Sequence, residues 1–186
     1  MTPQAFLSLA TAFGLSTAAG LNAYIPLLIV AILARFTALI TLNPPYDALS
    51  SWWVIGTLGV LLVLEILVDK IPAVDTVNDI IHTFIRPAAG AILFAASTNV
   101  IGMHPMLAAV CGVIVAGGVH AAKAGGRPVV TATTAGIGNP VVSTIEDVVS
   151  FVTSLLAVVA PYAVLAFVLI ALSLLIWRSE RRRRLR

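Results

Sequence analysis

Four ionisable residues of the sequence fall on one face of a predicted helix. Asp75, Asp79, His82 and Arg86 lie at i, i+4, i+7 and i+11, a spacing that places all four on one helical stripe. Carboxylates beside a histidine can bind a divalent cation, relay protons, or neutralise the arginine in a structural network. Asp75, Asp79 and His82 are therefore candidate metal ligands, although no tight spacing such as His-x-x-x-His accompanies them.

The stripe belongs to a larger concentration of charge in the middle of the chain. Six of the eight acidic residues, and four of the five basic residues outside the C-terminal tail, lie between Glu65 and Asp147. Ionisable groups at membrane depth normally face a protein interior or an aqueous cavity and mark a pathway. A structural salt-bridge network is the alternative. The predicted substrate or ion pathway comprises Asn22, Tyr24, Glu65, Asp69, Asp75, Asp79, His82, Arg86, His120, Lys123, Arg127, Asn139, Ser143, Glu146 and Asp147.

Two segments of unusual composition are predicted to shape this pathway. The Gly- and Thr-rich stretch Ala124–Asn139 predicts a loop whose carbonyls and hydroxyls can line a cavity. After it, Asn139 or Ser143 is expected to cap the next helix, with Glu146 in the first turns, as a structural alternative to a pathway role. Asn, Tyr and Pro interrupt the apolar run over Gly20–Pro26, which predicts either a discontinuous helix or a simple kink.

The composition dictates what kind of elements must position these residues. Of the 186 residues, 60% are hydrophobic and 10% are charged, with mean hydropathy +1.05. Soluble domains carry about a quarter charged residues, so an ordinary soluble fold is excluded. One cysteine, Cys111, cannot close a disulfide scaffold. The sequence therefore predicts an all-α, polytopic transmembrane bundle.

Six apolar segments approach the length of about 20 residues that a membrane-spanning helix needs. The apolar stretch Ala5–Ala18 is shorter, and we leave open whether it forms a seventh helix, a re-entrant half or an interfacial segment. The six predicted spans are Leu21–Thr37, Trp52–Val68, Ile80–Ser97, Pro105–Ala122, Val141–Val159 and Pro161–Trp177.

Charge predicts how these spans are oriented. Six arginines lie in the basic tail, residues 178–186, directly after an apolar run, which is typical of a cytoplasmic anchor and not of nucleic-acid binding. Lys70 and the Lys123–Arg127 segment then fall on the same side, whereas the loops on the other side carry no Lys or Arg. We expect a multi-pass protein of the bacterial inner membrane with a cytoplasmic C-terminus.

The chain also shows an internal repeat. Pro72–Ile81 aligns without gaps on Pro140–Val149, with Pro, Val, Thr and Asp at identical positions. In each copy, a helix ending in Lys precedes a turn and then the aligned segment, which opens the next helix. We predict one transmembrane domain, residues 1–177, with repeat units at about 59–98 and 112–159. Whether the copies are parallel or inverted is left open.

Three strings of the sequence carry a family resemblance. They are GLNAYIPLLI at Gly20–Ile29, DKIPAVDTVNDIIHTFIRPAAGA at Asp69–Ala91, and the segment Val119–Asp147. The chain resembles, from about Gly14 to Tyr162, the bacterial membrane-protein family catalogued as domain of unknown function 4126. The resemblance implies an integral membrane protein and no established activity.

These observations favour a small transporter or channel-like protein for an ion or small solute, with proton coupling as one option. The alternatives are a lipid-phosphate-handling flippase or enzyme, contacting phosphate through Lys70, Arg86, Lys123 and Arg127, or a non-catalytic assembly partner. No catalytic signature is found, and no cofactor is expected. The expected partners are the lipid bilayer and the transported ion, solute or lipid phosphate, and a homo-oligomer is one option for so small a bundle.

Overall fold

Six α-helices build the described part of the protein. The computed structural model describes residues 3–69 and 72–161 with the single positions Ile170, Ser173 and Trp177, but not the side chains of residues 72–79 and 100. All regular structure in these residues is helical, which confirms the predicted all-α fold. The helices are α1 (Pro3–Leu21), α2 (Tyr24–Phe36), α3 (Trp52–Val68), α4 (Pro72–Thr98), α5 (Pro105–Thr134) and α6 (Asn139–Val159), with short 3₁₀ turns at Tyr46–Ser50 and Asn99–Ile101.

Four of these helices are long and apolar enough to cross a membrane, judged by length and composition. They are α1, α5, α6 and the Ile80–Thr98 part of α4. The stretch Ala5–Ala18 is thus part of a 19-residue helix. By contrast, α2 and α3 are shorter apolar helices of 13 and 17 residues. The chain therefore forms a helical membrane bundle in which two helices are short.

Helix α6 is polar toward the protein and apolar toward the outside. Its buried residues include Ser143, Ser150 and Ser154, whereas Val148, Phe151 and Leu155 are exposed. In water, the serines would be expected on the exposed face and the large apolar residues on the buried face. Lipid favours the observed arrangement, because hydrocarbon solvates apolar side chains and helices in a membrane associate through small residues and hydrogen bonds.

Helix α1 lies at the centre of the bundle and is antiparallel to α4 and α6. Thr11 donates a hydrogen bond to the carbonyl of Ala157, while Ser150, about two turns earlier on α6, donates to the carbonyl of Ala18. On α4, Ser16 donates to the carbonyl of Gly90, and the Phe13 ring contacts the Phe94 ring, so α4 also runs antiparallel to α1. As a result, the C-terminal end of α1 lies beside the middle of α4 and the middle of α6.

Helices α4 and α5 approach each other closely at two glycines. A Cβ atom added to Gly90 would lie 2.8 Å from the carbonyl oxygen of Gly112, and one added to Gly112 would collide with the backbone of Gly90. Gly20 of α1 packs equally tightly, since its Cβ would lie 2.6 Å from the carbonyl oxygen of Ala116. These contacts hold the three helices at a distance at which short polar side chains reach between them.

The predicted loop Ala124–Asn139 is wrong. Helix α5 continues through Lys123 to Thr134, and the chain turns only at residues 135–138, where Ala135 and Gly136 adopt positive φ. Gly and Thr mark loops in water, but a segment shielded from water must satisfy its backbone internally, and a helix does so. Thr133 and Thr134 also donate back to carbonyls one turn earlier. The predicted helix end at Lys123 fails for the same reason.

Of the six predicted spans, one is divided between two helices and one lies mostly outside the described residues. Leu21–Thr37 is not one span, because Leu21 ends α1 and α2 covers only Tyr24–Phe36. Of Pro161–Trp177, only four positions are described, and the tail at residues 178–186 lies outside the described residues. The aligned segments of the internal repeat do open helices α4 and α6, and the duplication itself stays a prediction.

Candidate functional site

The break between α1 and α2 brings a buried amide to the end of the helical hairpin. Asn22 is 1% exposed, and its Oδ1 accepts hydrogen bonds from the backbone N–H groups of Tyr24 and Ile25, at 3.0 and 3.1 Å. Its Nδ2 donates to Oδ1 of Asp147 at 2.9 Å. Irregular backbone is tolerated at membrane depth only where partners of this kind satisfy it, so Asn22 both closes the hairpin and docks α6.

A second group forms around Glu65 near the end of α3. Arg86 of α4 is fully buried, and its Nη2 donates to Oε1 of Glu65 at 3.3 Å. Nε2 of His82 lies 3.5 Å from the same oxygen, and the rings of His82 and Tyr24 form a T-shaped contact. Within the described part of the chain, Oε2 of Glu65 and Nδ1 of His82 are buried without a hydrogen-bond partner.

His120 on α5 extends this group. Its Nδ1 lies 2.9 Å from Nη1 of Arg86, and its Nε2 lies 3.1 Å from Oγ1 of Thr83. Because a guanidinium can only donate, Nδ1 must accept and Nε2 must carry the proton. Both ring nitrogens of His120 are therefore occupied, whereas only one ring nitrogen of His82 faces a partner.

A third group joins α5 to α6 through Glu146. Lys123 contacts Oε2 of Glu146 at 2.7 Å, and Nη2 of Arg127 contacts the same oxygen at 3.4 Å. Lys123 also donates to the carbonyl of Leu21 at the end of α1. One carboxylate oxygen of α6 thus holds two cations of α5, and Lys123 extends the contact to the end of α1.

The predicted capping roles in α6 are wrong. The helix begins at Asn139 without a side-chain cap in the described structure, and Ser143 donates to Oδ2 of Asp69 at 2.5 Å. Asn139 pairs with Thr131 of α5 instead. Glu146 lies two turns into the helix and binds the two cations described above. The short polar side chains therefore connect helices and do not end them.

The sequence also matches a known protein family. The sequence model of the family described as Domain of unknown function (DUF4126) matches residues 9–181. The chain belongs to this family. No curated protein and no solved structure matches this chain.

Most of the polar residues expected in this DUF4126 chain come together at one level of the bundle. This level is formed by the hairpin end, the end of α3, the middle of α4, the second half of α5 and the first half of α6. Asn139 lies apart beside Thr131. The residues that meet here, which we call the polar cluster, are Asn22, Tyr24, Glu65, Asp69, His82, Arg86, His120, Lys123, Arg127, Ser143, Glu146 and Asp147.

The remaining candidates of this DUF4126 protein lie beyond what the structure describes. The backbone of Asp75 and Asp79 is helical, but their side chains are outside the described part, as is Lys70 altogether. Among the described residues, no group of three or more His, Cys, Asp or Glu side chains is placed to hold a metal ion. The metal prediction for Asp75, Asp79 and His82 therefore stays untested.

Several polar residues were missed by the sequence analysis. Thr83 bonds His120, and Ser150 and Ser154 line a seam between α1 and α6 that leads to Asp147. A signal existed in the spacing, since Ser143, Asp147, Ser150 and Ser154 repeat at intervals of three and four and share one face of α6. Serine and threonine are common in apolar helices, so this spacing alone does not indicate a functional face.

Proposed function

We propose that this protein is a multi-pass membrane transporter or channel-like protein that moves an ion or small solute and couples that movement to protons. The supporting observation is the polar cluster itself. In this cluster, carboxylates, imidazoles and cations from the four helices α3 to α6 interact inside a bundle whose exposed side chains include many large apolar ones. Chains of Asp, Glu and His within membrane helices are typical of proton pathways in pumps and transporters.

A cavity on the far side of the bundle supports a transport role. It has a volume of about 390 Å³ and is lined by Thr11 and Leu15 of α1, Ser97 of α4 and residues near the end of α6. Thr11 lies 11 residues before Asn22, which is about 16 Å along a helix. The cavity is therefore at a different depth from the polar cluster.

A line of hydroxyl groups runs between this cavity and the polar cluster. Thr11 donates to the carbonyl of Ala157, Ser154 donates to the carbonyl of Ser150, and Ser150 donates to the carbonyl of Ala18. Asp147 lies one turn before Ser150 on the same face of α6. Both serines are fully buried, so the seam between α1 and α6 is closed in this conformation. Opening it would join the cavity to Asp147.

The lipid-phosphate alternative is less favoured by the described contacts. Lys123 and Arg127 are held by Glu146, and Arg86 is held by Glu65 and His120. The positive charge of a cation that is already paired with a carboxylate is compensated, so such a cation attracts a phosphate less strongly. An assembly partner would need no buried ionisable network at all, because a buried ion pair adds little net stability.

Proton flux into liposomes tests the proposal. Purified protein is reconstituted with a pH-sensitive dye inside, and a potassium gradient with valinomycin sets an inside-negative potential, with and without a panel of small solutes outside. We expect faster proton uptake than in protein-free liposomes. Asp147→Asn should slow it about tenfold, equivalent to about 1.4 kcal/mol.

The matched control neutralises an aspartate outside the polar cluster. Asp47 is exposed in the turn between α2 and α3, so Asp47→Asn should leave the flux unchanged. If wild-type liposomes take up protons no faster than empty ones, with every solute tested, the proposal is wrong. Equal losses in Asp47→Asn and Asp147→Asn would point to a general charge effect instead.

The orientation of the protein is part of this proposal. We place the turn between α5 and α6, together with the basic tail, in the cytoplasm of a bacterial inner membrane. In a Cys111→Ala background, Ile137→Cys is the better labelling site, because Ile137 is 80% exposed whereas the Lys123 side chain is 3% exposed. A membrane-impermeant thiol reagent should label Asp47→Cys in intact cells and Ile137→Cys only after lysis. The reverse pattern would invert the topology.

A further inference from the structure

The charge of the buried Glu65 carboxylate is only partly compensated. Its side chain is 1% exposed, and its nearest cation, Arg86, is shared with His120. One of its oxygens, Oε2, has no hydrogen-bond partner among the described residues. A buried carboxylate oxygen without a partner is costly to keep charged, and adding a proton removes that cost.

His82 supplies a second unpartnered atom beside this carboxylate. Its Nε2 faces Oε1 of Glu65 at 3.5 Å, and its Nδ1 is buried and has no partner in the described part of the chain. An imidazole that can gain a proton at one nitrogen and lose one from the other is a natural relay. His120 cannot act in this way without breaking a bond, because Arg86 and Thr83 occupy its two nitrogens.

We propose that Glu65 is the residue that binds the coupled proton and that His82 delivers it; this inference rests on the proposed function. A proton adds to the lone pair of His82 Nδ1, and the N–H bond at Nε2 breaks as its proton passes to Oε1 of Glu65. The imidazole ends neutral with its proton on Nδ1, and Glu65 ends as a neutral carboxylic acid. Arg86 then keeps its contact with His120.

Charged and titratable groups from the surrounding helices act on this pair. Arg86 and Asp69 are its main charged neighbours, Tyr24 lies against the His82 ring, and Asp79 lies one turn earlier on α4, where side chains are not described. The remaining groups are His120, Lys123 and Asp147. Arg86 favours the ionised form of Glu65 and Asp69 opposes it, so the proton can be both bound and released.

Infrared difference spectroscopy tests this inference without a transport assay. Purified wild-type protein in lipid is compared between acidic and alkaline buffer, in the carbonyl-stretch region of a protonated carboxylic acid. We expect a band that grows as the pH falls and shifts in D₂O. Glu65→Gln should remove this band, whereas Glu146→Gln, which neutralises the acid held by two cations, should retain it.

Two further variants keep the test decisive. If Glu65→Gln does not fold, Glu65→Asp keeps a carboxyl group at the site and should move the band to a different frequency. His82→Gln should slow the appearance of the band after a rapid pH jump about tenfold or more. An unchanged band in Glu65→Gln or Glu65→Asp, a wild-type protein without the band, or an unchanged rate in His82→Gln would overturn the inference.

The outcome also separates this inference from the proposed function. A band that depends on Glu65 in a protein that moves no protons across liposomes would support Glu65 as a proton-binding residue and refute transport. Proton flux in a protein whose band does not depend on Glu65 would support transport and refute this assignment.

Discussion

Glu65 and Glu146 occupy the same polar cluster and yet have opposite surroundings. One oxygen of Glu146 contacts both Lys123 and Arg127, and its side chain is 14% exposed. Glu65 is 1% exposed, contacts Arg86 alone among the described cations, and has one oxygen without a described partner. The α5–α6 side of the polar cluster thus fixes a negative charge, while the α3–α4 side leaves the charge of its acid free to change.

This difference assigns different tasks to the two sides. A carboxylate held by two cations works as a clamp, and here it ties α5 to α6 and, through Lys123, to the end of α1. A buried carboxylate with a single shared cation and a histidine beside it is suited to exchanging a proton. The number of cations on each acid therefore says more about its role than its depth in the bundle.

The largest expected effect comes from removing the cation on the α3–α4 side. Arg86→Met leaves Glu65 buried beside no described cation and should lower the free energy of unfolding by about 3–5 kcal/mol. The control is Arg35→Met, because Arg35 is exposed, stacks on Trp52 and, among the described residues, donates to the carbonyl of Ser50. Its loss should cost about 1 kcal/mol or less. Unfolding in mixed detergent micelles measures both, and equal costs would contradict the buried pairing.

The next largest effect tests the close contact between α4 and α5, which joins the two sides of the polar cluster. Gly90→Ala places a methyl group 2.8 Å from the carbonyl oxygen of Gly112 and should cost about 3 kcal/mol, near the upper end for overpacking. Gly59→Ala on α3 has open space around its new Cβ and should stabilise by about 1 kcal/mol or be neutral. If Gly90→Ala is as well tolerated as Gly59→Ala, α4 and α5 do not approach as described.

The smallest effect compares the two acids directly. Glu146→Gln leaves two cations facing an uncharged amide, whereas Glu65→Gln leaves Arg86 bonded to His120. We expect Glu146→Gln to be less stable than Glu65→Gln by about 1–2 kcal/mol. Denaturation of both variants in one detergent gives this difference, and a reversed order would mean that Glu65 is the clamp.

The sequence predicted which residues would be buried far better than it predicted their partners. The stripe containing His82 and Arg86 was expected to face inward because lipid does not accept charge, and both side chains are buried. The hydrogen bond between Ser143 and Asp69 joins residues 74 positions apart. No local pattern reports such a pair, so Ser143 was assigned to a cap instead.

The errors in the fold have a common physical origin. Gly, Thr and Pro often end helices in soluble proteins, because water can replace a backbone hydrogen bond that is broken there. Pro128 and two neighbouring glycines lie inside α5, because in an apolar bundle the continuous helix is the way to satisfy the backbone. A break between α1 and α2 is one of the two options that the sequence predicts. Asn22 stabilises this break, because its side chain accepts hydrogen bonds from the backbone N–H groups that the break leaves without helical partners.

Proton flux in liposomes containing equal amounts of folded Glu65→Gln or Glu146→Gln protein tests the central claim most directly. If the α3–α4 side exchanges the proton and the α5–α6 side is a clamp, Glu65→Gln should lose flux about tenfold or more, equivalent to at least about 1.4 kcal/mol. Glu146→Gln should lose markedly less per folded molecule, and Asp47→Asn should match the wild type. Equal losses in the two glutamine variants, or a greater loss in Glu146→Gln, would contradict the account.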